Sequence, residues 1–276
     1  MTLDLTLHTA PAVPLEADVL TPSRLAGLSP LETARLPVVH GNQAAELGEF
    51  FRVDGGTGGE IHLTGDLSRV KLIGAGMTEG RIVVHGSVGM HLGAEMSGGE
   101  IVVEGDAGDW VGPEMSGGRI TVRGNAGHMV GAAYRGGRIG MRGGEILVFG
   151  SVGNETGNGM RRGLIAVGGD AGDFAGVNLL AGTIVVFGRP GWRTGAGMRR
   201  GTIVAMHPAE LLPTFSFSCT YCPVFLRLYL PYLRRLGLPV TDAQVRGSYQ
   251  RWCGDAIELN RGEILLLQDG DTAPAH

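Results

Sequence analysis

The chain has 276 residues, 43% of them hydrophobic, a formal net charge of −4 and only three cysteines. That length and apolar content support a packed core and exclude a disordered chain, and three cysteines are too few for a disulfide scaffold. The slight acidity argues against a nucleic-acid binder, and no apolar run approaches the ~20 residues of a membrane span.

Residues 1–54 carry no repeat and read as an N-terminal cap. Thr21-Pro22 starts a short helical turn, and Ser29-Pro30-Leu31-Glu32 has the form of a capping box with proline at the first helical position. The first eight residues lack the basic start and apolar stretch of a secretory signal, so the expected location is the cytoplasm, with reduced thiols.

Glycine dominates the middle of the chain. Of 49 glycines, 41 lie between Gly55 and Gly201, and 13 prolines without a three-residue period exclude collagen. The unit reads Gly-x-Ile-x-Val-x-Gly-x-x-Gly-x-x-x-Gly. Its isoleucines, Ile82, Ile101, Ile120, Ile146, Ile165, Ile184 and Ile203, are spaced 19, 19, 26, 19, 19 and 19 residues apart. The long step holds a seven-residue insertion within 136–143, and a degenerate first copy starts at Ile61. Alternating β-branched residues predict a short strand in each unit, and the glycines are too dense for helix. Strands this short need neighbours, so the expected fold is all-β: a right-handed parallel β-helix of about seven or eight coils over residues 55–205, with glycine at the corners. Stacking predicts an interior column of Met77, Met96, Met115, Tyr134, Met160, Leu179 and Met198. A second column, of small corner residues, holds Val88, Ala107, Ala126, Val152, Ala171 and Pro190.

Residues 206–276 again lack the repeat and read as a C-terminal cap that also docks a partner. The run from Cys219 to Leu236 is dense in apolar and aromatic residues, and Pro231 argues against an undisturbed helix there.

Little in the chain reads as chemistry. Cys219, Cys222, Cys253 and His207 lack zinc-finger spacing, and the three cysteines read as incidental or structural thiols with no metal. Asp106, Asp109, Asp170 and Asp173 sit in glycine corners and read as turn residues. The alternative is acid–base work on sugars, which requires them to converge in a groove. No phosphate loop and no nucleophile elbow occurs, and no catalytic residue is assigned. Arg135, Arg161, Arg162, Arg199 and Arg200 follow the methionine column and, with Arg138 and Arg142, define a basic strip. It reads either as a solvated edge or as a seat for a polycarboxylate or an acidic partner.

The serial Gly-x-x-Gly-x-x-x-Gly units resemble the GXGXG β-helix domain, found at the C-terminus of the glutamate synthase large subunit and in the C subunit of formylmethanofuran dehydrogenase. The flanks narrow this. Arg24-Leu-Ala-Gly-Leu-Ser29 and Leu47-Gly-Glu-Phe-Phe51 resemble the entry segment of that C-subunit lineage. Cys219-Thr-Tyr, Pro223-Val-Phe-Leu-Arg-Leu-Tyr229 and Gly254-Asp255 resemble the bacterial branch, the C (gamma) subunit of formyltransferase/hydrolase complexes. The resemblance implies a subunit without an active site of its own. Its complex would pass a formyl group from formyl-tetrahydromethanopterin to methylofuran, a methanofuran-type cofactor, and hydrolyse it to formate. Partners would be an amidohydrolase-like subunit holding the metal, a formyltransferase subunit and a third, B-type subunit, with neither nucleic acid nor membrane involved. The cofactor's polyglutamate tail would give the arginine strip a ligand. Two other readings are the C subunit of a tungsten or molybdenum formylmethanofuran dehydrogenase and a stand-alone polysaccharide-active enzyme.

Overall fold

The computed structural model describes residues 2–56 and 59–268. The chain opens with strand β1 (Thr2–Leu7), strand β2 (Leu15–Glu16), and helices α1 (Pro22–Leu25) and α2 (Pro30–Ala34). Thr21 caps α1, and the Ser29/Glu32 capping box closes the start of α2, as the sequence predicts. Strands β3 (Pro37–His40), β4 (Gln43–Glu46), β5 (Phe51–Gly55), β6 (Glu60–Thr64) and β7 (Val70–Lys71) come next. Strand β1 is more than a cover. It runs parallel to β6 with Leu3 opposite Ile61, and antiparallel to β5, so it continues the apolar ladder towards the N-terminus.

The glycine repeats supply one strand each: β8 (Arg81–His85), β9 (Glu100–Val103), β10 (Arg119–Val122), β11 (Glu145–Val148), β12 (Leu164–Val167), β13 (Thr183–Val186) and β14 (Thr202–Ala205). Each pairs in parallel with the next, and the isoleucines fall opposite one another from Ile61 through Ile203 without a slip. Single bridges form a second parallel ladder, Leu67, Val88, Ala107, Ala126, Val152, Ala171 and Pro190, which is the small-residue column of the sequence.

The C-terminal part adds β15 (Ser216–Tyr221), helices α3 (Leu226–Arg235) and α4 (Asp242–Arg246), β16 (Tyr249–Gly254) and β17 (Gly262–Leu267). Strand β17 lies parallel to β14 and sets Ile264 opposite Ile203, so the ladder also runs on beyond the last repeat. The result is one thirteen-stranded sheet, in the order β15-β16-β17-β14-β13-β12-β11-β10-β9-β8-β6-β1-β5, beside a small sheet β4-β3-β2-β7.

Two cores lie on opposite faces of the large sheet. The isoleucine and methionine columns fill one. In the other, Leu226, Leu230 and Leu233 of α3 cover Leu147, Leu164, Ala166, Val185 and Val204. Helix α3 forms despite Pro231. The ring removes one donor, but three fully buried leucines at helical spacing contribute about 2 kcal/mol each and hold the segment in place. This segment therefore lies along the sheet rather than only across the end of the ladder.

One core position differs from the sequence expectation. Tyr134 is half-exposed, and Met141 is fully buried in the methionine column instead. Met141 accepts the Arg161 amide at 2.8 Å, as Met115 accepts that of Arg142 at 2.7 Å. The extra residues are thus 134–140. Tyr134 folds outward, with its hydroxyl 3.1 Å from His91 Nδ1 and its ring beside Trp110.

The corners also differ in kind. Gly93 has φ +61°, and a side chain there would strike Ile120. Gly108 does not adopt positive φ; it is small because the backbone of Gly89 and Met90 passes 2.9–3.1 Å from where a Cβ would stand. His91, Trp110, Met129, Glu155, Phe174 and Arg193 occupy one equivalent left-handed turn position with φ of 55–63°, so the fold does not reserve every such corner for glycine.

Candidate cofactor and partner surface

The stacked repeats set the residues after the methionine column in register. Arg142, Arg161 and Arg199 donate their amides to Met115, Met141 and Leu179, each one repeat back, and Leu180 donates to Met160. One column therefore reads Arg142, Arg161, Leu180, Arg199, and beside it stand Arg162, Ala181 and Arg200. Arg142, Arg161 and Arg162 line an open cleft of about 240 Å³. Arg142 Nη2 is 3.6 Å from Glu114, whereas Arg161 and Arg162 have no ion-pair partner among the described residues.

Arg162 also lines a groove of about 500 Å³ between the sheet and α3. Leu164, Thr183, Leu228 and Tyr229 supply its walls, and Leu228 is 74% exposed. At its base the Tyr232 hydroxyl donates to the Glu145 carboxylate (2.7 and 2.9 Å to its two oxygens) and accepts from Arg119 Nη2 at 2.8 Å. Burial, and then the Glu145 carboxylate, holds that hydroxyl above the ordinary tyrosine range. Glu145 ends an alternating ladder, Glu60, Arg81, Glu100, Arg119, Glu145, with contacts of 2.9–3.8 Å along the first residues of five strands. The surface thus joins unpaired guanidinium groups to an apolar, aromatic groove. That suits a ligand or partner with carboxylates at one end and a flat or apolar group at the other.

No protein-family model matches the chain. It is 46% identical over 85 residues to the C subunit of the molybdenum-containing formylmethanofuran dehydrogenase 1 of Methanosarcina barkeri, covering 29% of this chain and 28% of that protein. It is 42% identical over 93 residues to the C subunit of the tungsten-containing formylmethanofuran dehydrogenase 2 of Methanothermobacter wolfeii, covering 32% and 34%. The chain therefore spans about a third or less of these curated relatives. A chain in the crystal structure of the formyltransferase/hydrolase complex FhcABCD of Methylorubrum extorquens, with methylofuran, matches throughout: 34% identity, TM-score 0.88, 99% of this chain and 100% of that one. The chain belongs to the family of formylmethanofuran dehydrogenase C subunits.

In this member of the C-subunit family the predicted arginines do not make one strip. Arg135 lies in the insertion, exposed, and Arg142 takes the register position expected of it, because the extra residues precede Met141. Arg199 and Arg200 stand two strand spacings from Arg161, about 10 Å, across Leu180 and Ala181. Arg199 Nε is held by Glu258 at 3.0 Å. Sequence reading missed the groove, since α3 comes from outside the repeats, further along the chain than every strand residue that lines it.

The aspartates are set apart by the same register. Oδ1 of Asp106 accepts the Asn125 amide at 2.7 Å, and Oδ1 of Asp170 accepts that of Arg189 at 2.7 Å. Asp109 and Asp173 do the same for His128 and Trp192 at 2.7 and 2.8 Å. With Ser87, Asn125, Ser151, His128 and Asn154 in the same roles, they form two polar ladders that tie each repeat to the next. Cys219 and Cys222 are exposed and Cys253 half-buried, all as free thiols. Among the described residues, no group of three or more His, Cys, Asp or Glu side chains is placed to hold a metal, and no helix is long and apolar enough to cross a membrane.

Proposed function

We propose that this chain is the non-catalytic C subunit of a cytoplasmic formyltransferase/hydrolase complex in one-carbon metabolism. The complex would transfer a formyl group from formyl-tetrahydromethanopterin to a methanofuran-type cofactor and hydrolyse it to formate. The carrying observation is the end-to-end match, at 34% identity, to a chain of the FhcABCD complex solved with methylofuran. The two polar ladders support a role without acid–base chemistry, because their carboxylates already accept backbone amides. The transferase site and the metal-dependent hydrolase site then belong to partner subunits. In this reading the repeats of residues 55–205 wind as a right-handed parallel β-helix, supported by the two parallel ladders. Residues 1–54 and 206–276 close its ends, the latter also docking a partner. Arg142, Arg161 and Arg162 bind the acidic tail of the cofactor or an acidic partner surface, and Arg135, Arg199 and Arg200 lie outside that cleft.

The test is native purification of the chain from its own cells, with mass spectrometry and metal analysis. Amidohydrolase-like and formyltransferase subunits without tungsten, molybdenum or iron–sulfur are the expected company. A molybdopterin and iron–sulfur partner would instead make this the C subunit of a dehydrogenase, the activity named for the curated relatives. Recovery of the chain alone would overturn both.

A further inference from the structure

Away from the arginine cleft, on β6, β8 and just past the end of β9, four side chains form a line that the proposed function does not use. His62 Nδ1 and His85 Nε2 face each other at 2.9 Å, with ring centroids 5.2 Å apart. The outer nitrogen of each ring meets a carboxylate: His85 Nδ1 lies 3.0 Å from Glu104 Oε2, and His62 Nε2 lies 3.3 Å from Glu60 Oε1. Asp4 stands directly across from His62 in the β1–β6 pair and Asp54 across from Asp4, so the surroundings are acidic. Arg81 is shared between Glu60 and Glu100.

Two neutral imidazoles cannot satisfy this line. An N–H on His85 Nδ1, donated to Glu104, leaves a lone pair on His85 Nε2. If His62 then donates from Nδ1, its Nε2 lone pair is turned against the Glu60 carboxylate. If His62 instead donates from Nε2 to Glu60, two lone pairs meet at 2.9 Å. A cation between the rings, with both N–H groups turned outward to the carboxylates, removes the conflict in either case. A ring nitrogen whose opposite N–H is held by a carboxylate is also the usual form of a metal-ligating histidine; His85 shows that arrangement with Glu104, and the Glu60 carboxylate lies within ion-pair reach of His62 Nε2.

We infer that His62 Nδ1 and His85 Nε2 form a site for one late-transition divalent cation, of the zinc or copper(II) class, with Glu60 and Glu104 orienting the two rings. Two nitrogens on one tetrahedral zinc stand about 3.3 Å apart, so the rings need separate by only a few tenths of an ångström. Their side chains are 25% and 36% exposed, which gives an ion access and lets water complete its shell. Both histidines sit on paired strands, so the backbone that positions them is fixed.

The experiment is titration of the chain, in the assembly in which it purifies, with Zn²⁺ by calorimetry and with one equivalent of Cu²⁺ by electron paramagnetic resonance. Cys219→Ser, Cys222→Ser and Cys253→Ser are introduced throughout to remove competing thiols. Comparison of variants in one preparation cancels metal held by other subunits. The expected result is one additional ion with a dissociation constant in the micromolar range and nitrogen hyperfine structure from two imidazoles. His62→Gln or His85→Gln should weaken binding at least tenfold and remove one nitrogen from the spectrum. Glu104→Gln, which keeps both ligands, should weaken it about tenfold. Binding unchanged in both histidine variants, or none below about 1 mM Zn²⁺, would overturn the assignment.

Discussion

Met141 occupies the seat in the core that the insertion would otherwise empty. Its Cε lies where a side chain on Gly163, the glycine of the next repeat, would have to stand, 2.7 Å away. Tyr134 instead packs with His91 and Trp110, and burial, with the Glu95 and Glu114 carboxylates, pushes its hydroxyl up to about 12, so it stays a donor near neutral pH. Met141→Ala should therefore cost about 2–5 kcal/mol in thermal or denaturant unfolding, and Tyr134→Phe about 1 kcal/mol. Equal losses would return Tyr134 to the core. The period placed every other member of this column. Counting forward from Ile120 through the insertion gives Tyr134, whereas counting back five residues from Ile146 gives Met141, and Met141-Arg142-Gly143-Gly144 repeats the spacing of Met115-Ser116-Gly117-Gly118. The fault lay in where the extra residues were put. Gly108 makes a related point: it is a corner glycine of the repeat, but what keeps it small is the backbone of the preceding repeat at Gly89 and Met90 and not its own dihedral angle.

Among elements, the strands of the repeat were legible and the elements that join them from a distance were not. Eight isoleucines from Ile61 to Ile203 fall in one row because period and pairing are the same fact seen twice. Ile264 joins that row from 61 residues away, with no period to announce it. Helix α3 was obscured by Pro231, although Leu226, Leu230 and Leu233 carry helical spacing. Packing against Leu147, Leu164 and Val185 outweighs the missing hydrogen bond, and this same packing makes one wall of the groove beside Arg162. Leu230→Ala should cost about 2–5 kcal/mol locally. Hydrogen exchange should then quicken across α3 while the amides of β8–β10 keep their protection. Uniform loss of protection would mean that helix and sheet unfold as one unit.

For the molecule as a whole, the cleft of Arg142, Arg161 and Arg162 is a feature whose charge is not fully answered among the described residues. Arg161→Glu combined with Arg162→Glu should leave the thermal midpoint unchanged, because both side chains are exposed, yet, on the proposed function, lower retention of the proposed cofactor or partner subunits at least tenfold. Retention in the parent complex should fall as salt rises, since exposed guanidinium contacts are screened. Loss of neither cofactor nor partner would leave the cleft as solvated surface. That these arginines follow the core methionines was readable in the sequence; that Leu180 and Ala181 interrupt them, and that Glu258 engages Arg199, needed the folded chain.

The in-register stack has one more consequence. Each unit hands its neighbour the same contacts: an isoleucine on an isoleucine, and an Asp, Asn, Ser or His side chain on the next amide. Such a stack works as a gauge block. Removing or duplicating one whole 19-residue unit shifts everything beyond it by about 4.8 Å and rejoins like with like, and extra residues that fold out of a unit, as 134–140 do, leave the later rows in register. The spacing between the histidine pair near one end and the arginine cleft nearer the other is thus adjustable only in fixed steps, by the number of units the chain carries.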